Sequence, residues 1–429
     1  MRFRPNYKTI TITGSLFLLF FLFFNSPARF LGTDDGYPAR LIPISILKEG
    51  NCELGEFINN GQLNTYSIVD ADGYYVSKYP ILTSLLALPV YSIPFIFNIT
   101  FSNELIAGLA RISASLIVAS SAILIYFIFR RFLSEKWSII LTIAYALGTS
   151  CWTISSQDLW QHGTSQLLLV LTIFFLLKAL EKQYPFLLLV GLFAGLSIAA
   201  RPINLIIVLF ILIFVFHRFR NNFPLTLLGL LVPLILVAFY NTYYFGAPWS
   251  TGYGQEILEG WTYPIWQGFA GLLFSPSRGL FFFTPFLVFP IWGMITIWRK
   301  SLILIKDINL LFRYLSLGLI FYLLVLSKWW AWPGAYSYGP RMLTDIVPIM
   351  ILFFIPMVRS GVFRKKILKS IFIVLITFSI LVQLVGIIYY DNKYQGEYYF
   401  DNQGNKISLL WSLREGQLYF YLSKPFHYN

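Results

Sequence analysis

The stretch LFLLFFLFFNSPARFLGTDDGYPARL, residues 16–41, decides how the whole chain is organised. It opens with an unbroken apolar run over residues 16–24 and soon afterwards reaches two adjacent aspartates, Asp34 and Asp35. A carboxylate at the centre of a bilayer costs roughly 2.5 to 3.5 kcal/mol on insertion scales. We therefore expect the two aspartates to lie at the water-facing edge of a membrane, directly after a first membrane span.

The composition of the remaining chain is typical of a membrane protein. Of the 429 residues, 57% are hydrophobic and only 12% are charged, whereas soluble domains carry about 25% charged residues. Apolar runs near the length of a bilayer crossing recur from end to end, and they are too long for barrel strands. The sequence predicts an all-α polytopic membrane protein. The net charge of +13 lies mostly in short loops, which indicates orientation rather than binding to nucleic acid.

Eleven membrane spans are predicted, near residues 10–30, 105–129, 137–152, 163–180, 185–200, 203–217, 223–241, 279–298, 313–327, 341–358 and 368–390. The segment 80–97 is also apolar but is short and contains three prolines, Pro80, Pro89 and Pro94. We expect it to lie in the membrane interface, with a twelfth span as the alternative. The predicted transmembrane domain covers residues 1–390, and residues 391–429 form a polar tail.

The distribution of basic residues sets the predicted orientation. With eleven spans and the N-terminus inside, the inner segments hold 19 of the 32 lysines and arginines but 3 of the 19 acidic residues. A twelfth span at 80–97 would place the basic cluster at 364–366 outside, against the positive-inside rule. The first span is then an uncleaved anchor. The irregular loops, including the first loop at 31–104, fall on the outer face, where we expect function to lie.

The first outer loop is predicted to contain a short amphipathic helix over residues 38–48, lying flat on the membrane. Asp34 and Asp35 would stand at its start. Capping of this helix is the alternative role for one of them, because an anion near a helix N-terminus is favoured by the helix dipole.

Several cations lie at one membrane level on the predicted outer face. Any one of them could simply extend its side chain to the water, and Arg341 could pair with Asp345 one helical turn later. Together they predict a pocket for an anionic headgroup, since arginine suits phosphate. The candidate phosphate-binding residues are Lys78, Arg201, Arg278 and Arg341.

Polar and aromatic residues of other outer loops complete the predicted pocket. The segment SSQDLWQHG, residues 155–163, places Asp158 and His162 at a span mouth. Tyr253 belongs to a glycine-rich and aromatic loop, and Tyr338 to the tryptophan-rich loop 328–340. Such aromatic residues stack on sugars or mark the membrane interface, and the sequence leaves both roles open.

This set of residues suits transfer of a sugar from a polyprenyl phosphate. The leaving group is then already an anion and needs only cations to hold the developing charge. The acceptor hydroxyl needs a base, and a carboxylate on the far side of the sugar can serve.

The chain resembles the GT-C integral membrane glycosyltransferases, which include protein O-mannosyltransferases and the aminoarabinose transferase of lipid A. The resemblance rests on TDDGYPARLIPISILKEG (33–50), SKYP (77–80), LWQHG (159–163), YFGAPWSTGY (244–253), LLFSPSRGLFFFTP (272–285) and GPRML (339–343). It implies a GT-C-like fold in a bacterial cytoplasmic membrane and a first-loop acidic residue as the catalytic base.

That catalytic role maps onto Asp35 or Asp34, with Asp35 preferred. In the superfamily a second acidic residue often follows the base, but here Gly36 follows Asp35, which leaves Asp34 open as the base. No cofactor follows with certainty from the sequence. Some members of the superfamily use a divalent metal ion, and Asp34, Asp35 and Asp158 could supply oxygen ligands to one.

The resemblance implies inverting transfer from a polyprenyl-phosphate sugar donor to a lipid, glycan or protein acceptor within membrane lipid. Two alternatives remain from the sequence. A polymerase or ligase of lipid-linked surface polysaccharide would share the arginines, and a transporter or flippase of a lipid-linked sugar would show internal repeats.

Cysteine labelling tests the predicted topology. In a chain with Cys52 and Cys151 replaced by serine, Glu49→Cys in the first loop should react with a membrane-impermeant maleimide in intact cells. Lys366→Cys in an inner loop should react only after the membrane is permeabilised. The reverse pattern would overturn the orientation.

Overall fold

The computed structural model describes residues 7–27, 30–58, 65–299, 304–394 and 407–427. Its α-helices are α1 (Tyr7–Phe24), α2 (Tyr37–Glu49), α3 (Leu82–Ile96), α4 (Asn103–Phe132), α5 (Glu135–Leu147), α6 (Gln161–Leu180), α7 (Phe186–Ala200), α8 (Leu205–Arg218), α9 (Phe223–Phe245), α10 (Glu256–Glu259), α11 (Ile265–Phe274), α12 (Leu280–Phe283), α13 (Phe289–Arg299), α14 (Lys306–Leu326), α15 (Val347–Leu352), α16 (Phe354–Arg359), α17 (Lys366–Tyr389) and α18 (Gln417–His427). Strands β1 (Ile68–Ala71) and β2 (Tyr74–Ser77) form an antiparallel hairpin.

Shorter turns connect these elements. The 3₁₀ turns are Asp34–Gly36, Gly55–Phe57, Pro202–Asn204, Arg220–Asn222, Pro285–Val288, Arg341–Ile346, Val362–Arg364 and Ile407–Trp411, and a π-helical turn covers Cys151–Ser155.

Within the described ranges, seven helical segments are long and apolar enough to cross a membrane: Tyr7–Phe24, Asn103–Phe132, Gln161–Leu180, Arg220–Phe245, Lys306–Leu326, Arg341–Arg359 and Lys366–Tyr389. An all-α integral membrane protein is therefore confirmed. Shorter apolar helices are Leu82–Ile96, Phe186–Ala200, Pro202–Arg218, Ile265–Phe274 and Pro285–Arg299.

Each of the eleven predicted spans overlaps a helix, but four of those helices are shorter than a full crossing. The span predicted at 137–152 corresponds to α5, which ends at Leu147 and is followed by the π-helical turn. The span predicted at 279–298 is interrupted near Pro285, because a proline ring clashes with the preceding helical turn. Eleven crossings therefore remain a prediction.

The first loop contains α2 and α3, whose bounds are close to those of the helices predicted at 38–48 and 80–97. Helix α2 has a proline in its first turn and ends at Gly50, whose φ of 73° lies in the left-handed region. The β-hairpin between α2 and α3 was not predicted, although Asp72-Gly73 at its tip is a typical hairpin turn sequence. Its second strand leads directly to Lys78 and Tyr79.

Helices α7 and α9 pack closely because glycines face each other across their contact. A Cβ atom at Gly191 would lie 1.9 Å from the carbonyl oxygen of Thr226, and one at Gly229 would lie 2.1 Å from that of Leu188. Gly191 and Gly195 have the spacing of small residues that lets membrane helices approach. This close pair forms one wall of the apolar groove described below.

The described part of the C-terminal tail is folded against the helices. The side-chain oxygen of Gln417 accepts a hydrogen bond from the Gly339 backbone at 2.7 Å, and its nitrogen donates to the Ser337 carbonyl at 2.9 Å. Tyr421 is fully buried. Residues 395–406 and 428–429 of the predicted tail lie outside the described residues, as do Arg2, Arg4 and Lys300 of the orientation argument.

Adding a methyl group at the α7–α9 contact should destabilise the protein. Gly191→Ala places carbon against a backbone oxygen, so we expect a cost of about 1–3 kcal/mol and a lower unfolding temperature in detergent. Gly108→Ala is the control, since this helical glycine has open space around its Cβ position. It should be neutral or stabilising by up to about 1 kcal/mol. Equal effects of the two variants would contradict this packing.

Candidate functional site

Asp35 lies in the short turn Asp34–Gly36 that leads into α2. Its side chain is 9% exposed, whereas Asp34 is exposed. One carboxylate oxygen accepts hydrogen bonds from the hydroxyls of Tyr66 and Tyr79, the latter at 2.9 Å. The other oxygen forms an ion pair with the Arg341 guanidinium. Of the two predicted catalytic carboxylates, Asp35 is the one inside the protein.

A second ion pair fixes this turn. Arg40 of α2 donates two hydrogen bonds to Asp158, at 2.9 and 2.6 Å, and one to the Thr33 carbonyl at 2.7 Å. Asp158 is fully buried. It approaches the turn so closely that a Cβ atom at Gly36 would lie 2.2 Å from its Oδ2 atom. Gly36 is therefore required by this contact. Asp158 supports the loop and is not among the residues that line the small cleft described below, and its predicted place in a substrate pocket stays a prediction.

Arg341 begins the 3₁₀ turn Arg341–Ile346 and is held on several sides. Its guanidinium carbon lies 4.3 Å from the centroid of the Trp160 ring, a favourable cation–π arrangement. Its Nε atom lies 3.4 Å from Nε2 of His162, and one terminal guanidinium nitrogen donates to the Gly334 carbonyl at 3.3 Å. The other terminal nitrogen contacts the Asp35 carboxylate.

Asp345 is a buried residue whose role the sequence did not reveal. Its carboxylate lies 3.1 Å from Nδ1 of His162, forms an ion pair with Arg201 at 3.1 Å and accepts from the Tyr322 hydroxyl at 3.3 Å. The i,i+4 alternative that paired Arg341 with Asp345 is absent from the contacts that the described residues make. The cost of burying a carboxylate in an apolar span was the signal that could have identified it.

These residues surround a small charged cleft lined by Asp35, Tyr79, Trp160, Gln161, His162, Arg201 and Arg341. Its volume is about 10 Å³, which is room for about one water molecule. The side chains of Arg201 and Arg341 are each 12% exposed. The structure therefore brings together Asp35, His162 and two of the four predicted phosphate-binding cations.

An apolar groove of about 330 Å³ adjoins this cleft. It runs between α3, α7 and α9, and its lining includes Leu85, Leu196, Ile198, Pro233, Leu236, Val237 and Phe245. Tyr79 lines both spaces, and its ring contacts that of Tyr253, with 5.6 Å between centroids. Lys78 also lines the groove and forms a 2.6 Å ion pair with Glu256. Lys78 and Tyr253 thus line the groove next to Tyr79, which groove and cleft share.

Two other predicted site residues lie apart from the cleft. Arg278 is 1% exposed and donates hydrogen bonds to the carbonyls of Ser337 and Ala335. Tyr338 is 2% exposed and donates to the Val382 carbonyl at 2.8 Å. Arg278 thus supplies partners for buried carbonyls of the irregular loop 328–340, and Tyr338 attaches the same loop to α17. The sequence alone cannot show this inward orientation of the two side chains.

The environment of Asp35 favours its charged form. Burial raises the pKa of this carboxyl, but Arg341 and the hydrogen bonds from Tyr66 and Tyr79 outweigh burial and hold the pKa below its ordinary value of 3.8. Burial and the charge of Asp35 also raise the pKa of Tyr79 well above its ordinary range, so its hydroxyl remains a donor. The carboxylate is ionised and fully bonded in this state.

Metal binding was left open by the sequence. Across the described part of the chain, no three histidine, cysteine or acidic side chains are grouped as metal ligands.

No family model matches this chain, and no curated protein matches it.

The lowered pKa of Asp35 predicts how acid affects stability. Its ionised carboxylate stabilises the folded state above the ordinary pKa of 3.8, and this contribution is lost as the pH falls through the folded pKa. At pH 7, Asp35→Asn should lower the unfolding free energy by about 3 kcal/mol, because it leaves Arg341 without its charge partner.

The difference between the wild-type protein and Asp35→Asn should be constant above about pH 5 and should shrink below it. Thermal unfolding in detergent across this range measures it. Asp34→Asn is the matched control, since substitution of an exposed side chain usually costs under about 0.5 kcal/mol. A wild-type advantage that persists unchanged at pH 3 would contradict the Asp35–Arg341 contact.

Proposed function

We propose that this protein is a GT-C-type membrane glycosyltransferase that moves a sugar, with inversion, from a polyprenyl-phosphate donor to an acceptor hydroxyl. The acceptor is a lipid, a glycan or a protein. The observation that carries this proposal is the Asp35–Arg341 pair in a cleft that continues, at Tyr79, into an apolar groove. A carboxylate, guanidinium groups and an apolar groove are what a charged lipid-linked sugar requires.

The charges of the cleft dictate how a donor phosphate enters. Arg341, Arg201 and Lys78 are already paired, with Asp35, Asp345 and Glu256 respectively. The Arg201–Asp345 pair is the most deeply buried, since Asp345 is fully inaccessible. A phosphate therefore takes Arg341 in exchange for Asp35. The donor itself releases the carboxylate that is to act as the base.

Transfer then follows from this exchange. The released Asp35 carboxylate accepts the proton of the acceptor hydroxyl, and the acceptor oxygen attacks the anomeric carbon on the face opposite the phosphate. The bond between the anomeric carbon and the phosphate oxygen breaks, and its electron pair stays on the leaving polyprenyl phosphate. Arg341 holds the charge that develops there. Loss of the guanidinium contact also makes the Asp35 carboxylate more basic at the step in which it accepts the proton of the acceptor hydroxyl.

The groove supports a lipid-linked donor over a soluble one. Its lining is almost entirely aliphatic and aromatic, and Lys78 lines it beside Tyr79, which also lines the charged cleft. A polyprenyl chain in the groove would place its phosphate near Lys78 and Tyr79, next to Arg341. A nucleotide-linked sugar would leave this apolar surface uncovered.

The proposal includes the predicted topology. The four shorter helices in the regions of α5, α7, α8 and α13 cross the membrane together with the seven long ones, and α3 lies in the interface. The N-terminus is inside, and the cleft opens on the outer face of a bacterial cytoplasmic membrane. The basic residues of the inner loops support this orientation.

Two variants separate the base from the phosphate site. With a panel of polyprenyl-phosphate-linked sugars, Asp35→Asn should reduce transfer at least about 100-fold, because a general base contributes 10²–10⁴. It should bind polyprenyl monophosphate at least as tightly as the wild type, since the competing carboxylate is gone. Arg341→Ala should weaken that binding about tenfold or more.

Asp34→Asn is the control and should keep transfer within about twofold of the wild type. Full activity in both Asp34→Asn and Asp35→Asn would remove the base assignment. Unchanged binding of polyprenyl monophosphate by Arg341→Ala would remove the phosphate site. Lipid movement across vesicles without any sugar transfer would indicate a flippase instead.

A further inference from the structure

His162 lies between a carboxylate and a guanidinium inside the protein. Its Nδ1 atom is 3.1 Å from Asp345, and its Nε2 atom is 3.4 Å from Nε of Arg341. The His162 residue is 1% exposed and Asp345 is inaccessible. Both ring nitrogens therefore face protein groups.

These two neighbours fix the proton on the imidazole ring. A carboxylate only accepts hydrogen bonds, so Nδ1 must carry the hydrogen that points to Asp345. A guanidinium only donates, so Nε2 must present its lone pair to Arg341. The only form that satisfies both partners is the neutral Nδ1–H tautomer. A partner that fixes the tautomer in this way also fixes the ring orientation.

The orientation of Arg341 follows from that ring. Its Nε–H points to His162, its guanidinium plane lies over Trp160, and one terminal nitrogen contacts Gly334. The remaining terminal nitrogen is left for Asp35. Asp345 also binds Arg201, so a single buried carboxylate supports both arginines of the cleft.

We infer that His162 and Asp345 are positioning residues, in which the neutral imidazole orients Arg341 toward the donor phosphate and transfers no proton itself. This inference rests on the proposed function and adds a role for two residues within it. A histidine in a cleft is ordinarily the first candidate for acid–base catalysis. Here both of its nitrogens are already engaged, and the carboxylate that contacts the cleft directly is Asp35.

Two substitutions test the contacts of the two imidazole nitrogens of His162 separately. His162→Gln can place an amide oxygen near the position of Nε2, and so keeps an acceptor for Arg341. His162→Asn reaches only the position of Nδ1, and so keeps a partner for Asp345 but loses Arg341. The two amides are alike in chemistry and differ by one methylene, which makes each the control for the other.

The probe is farnesyl phosphate, a short polyprenyl monophosphate, bound to the full-length protein in detergent. Farnesol, which lacks the phosphate, is the matched control ligand. We expect His162→Gln to bind farnesyl phosphate within about threefold of the wild type and His162→Asn to bind it about tenfold more weakly. With the sugar donor, His162→Asn should raise KM, and it should lower kcat far less than the loss of about 100-fold or more expected for Asp35→Asn.

Asp345→Asn tests the tautomer. An asparagine amide can donate to Nδ1, which allows the ring proton to move to Nε2, where it meets the Nε–H donor of Arg341. Binding of farnesyl phosphate should therefore weaken. The same substitution in the His162→Gln background should cost less, because no tautomer remains to be disturbed and only the loss at Arg201 is measured.

Each variant should elute as a monodisperse protein and unfold within a few degrees of the wild type, which shows that it is folded before its binding is compared. Equal binding by His162→Gln and His162→Asn would overturn the positioning role. Transfer lost at least 100-fold in His162→Gln with binding intact would overturn it as well, in favour of proton transfer by His162. Wild-type protein that binds farnesol as tightly as farnesyl phosphate would instead overturn the proposed function itself.

Discussion

The contact between the Asp35 carboxylate and the Arg341 guanidinium joins two parts of the chain that lie 306 positions apart. Buried charges are tolerated only when they are paired, and removing one partner leaves the other uncompensated. This constraint explains the surrounding structure. Arg40 and Asp158 hold the turn that carries Asp35, while Trp160 and His162 hold Arg341. The fold at this end of the helices is arranged so that these two groups meet.

The same balance of charge gives the cleft its proposed chemistry. Within the described residues, Arg341 and Arg201 of the cleft and the neighbouring Lys78 are each paired with a carboxylate. In the proposed mechanism an anionic ligand therefore replaces one of these carboxylates. A lipid-linked phosphate can do so because the apolar groove beside Tyr79 contributes binding that a free phosphate lacks. In the proposed mechanism, this exchange couples the arrival of the donor to the release of the base, so that Asp35 stays paired until a donor is bound.

Composition and hydropathy were sufficient to predict an all-α membrane protein and helices near 38–48 and 80–97. The charges near span ends led to Asp35, His162, Arg201 and Arg341, which the structure brings into one cleft. The direction in which each of these side chains points could not be predicted, because sequence position does not show how a side chain is oriented at a helix end. The Arg278 side chain turns toward the loop carbonyls of Ser337 and Ala335, and the Tyr338 hydroxyl turns toward the Val382 carbonyl in α17. Asp158 binds Arg40, and Asp345 pairs with Arg201 instead of with Arg341 one turn earlier.

The most direct measurement is an experimental structure of the full-length protein with polyprenyl monophosphate bound in lipid nanodiscs. We expect the phosphate within hydrogen-bonding distance of Arg341, the lipid chain along α3, α7 and α9, and the Asp35 carboxylate separated from the guanidinium. His162 should keep its contacts with Asp345 and Arg341. A phosphate bound elsewhere, with Asp35 and Arg341 still in contact, would contradict the central claim.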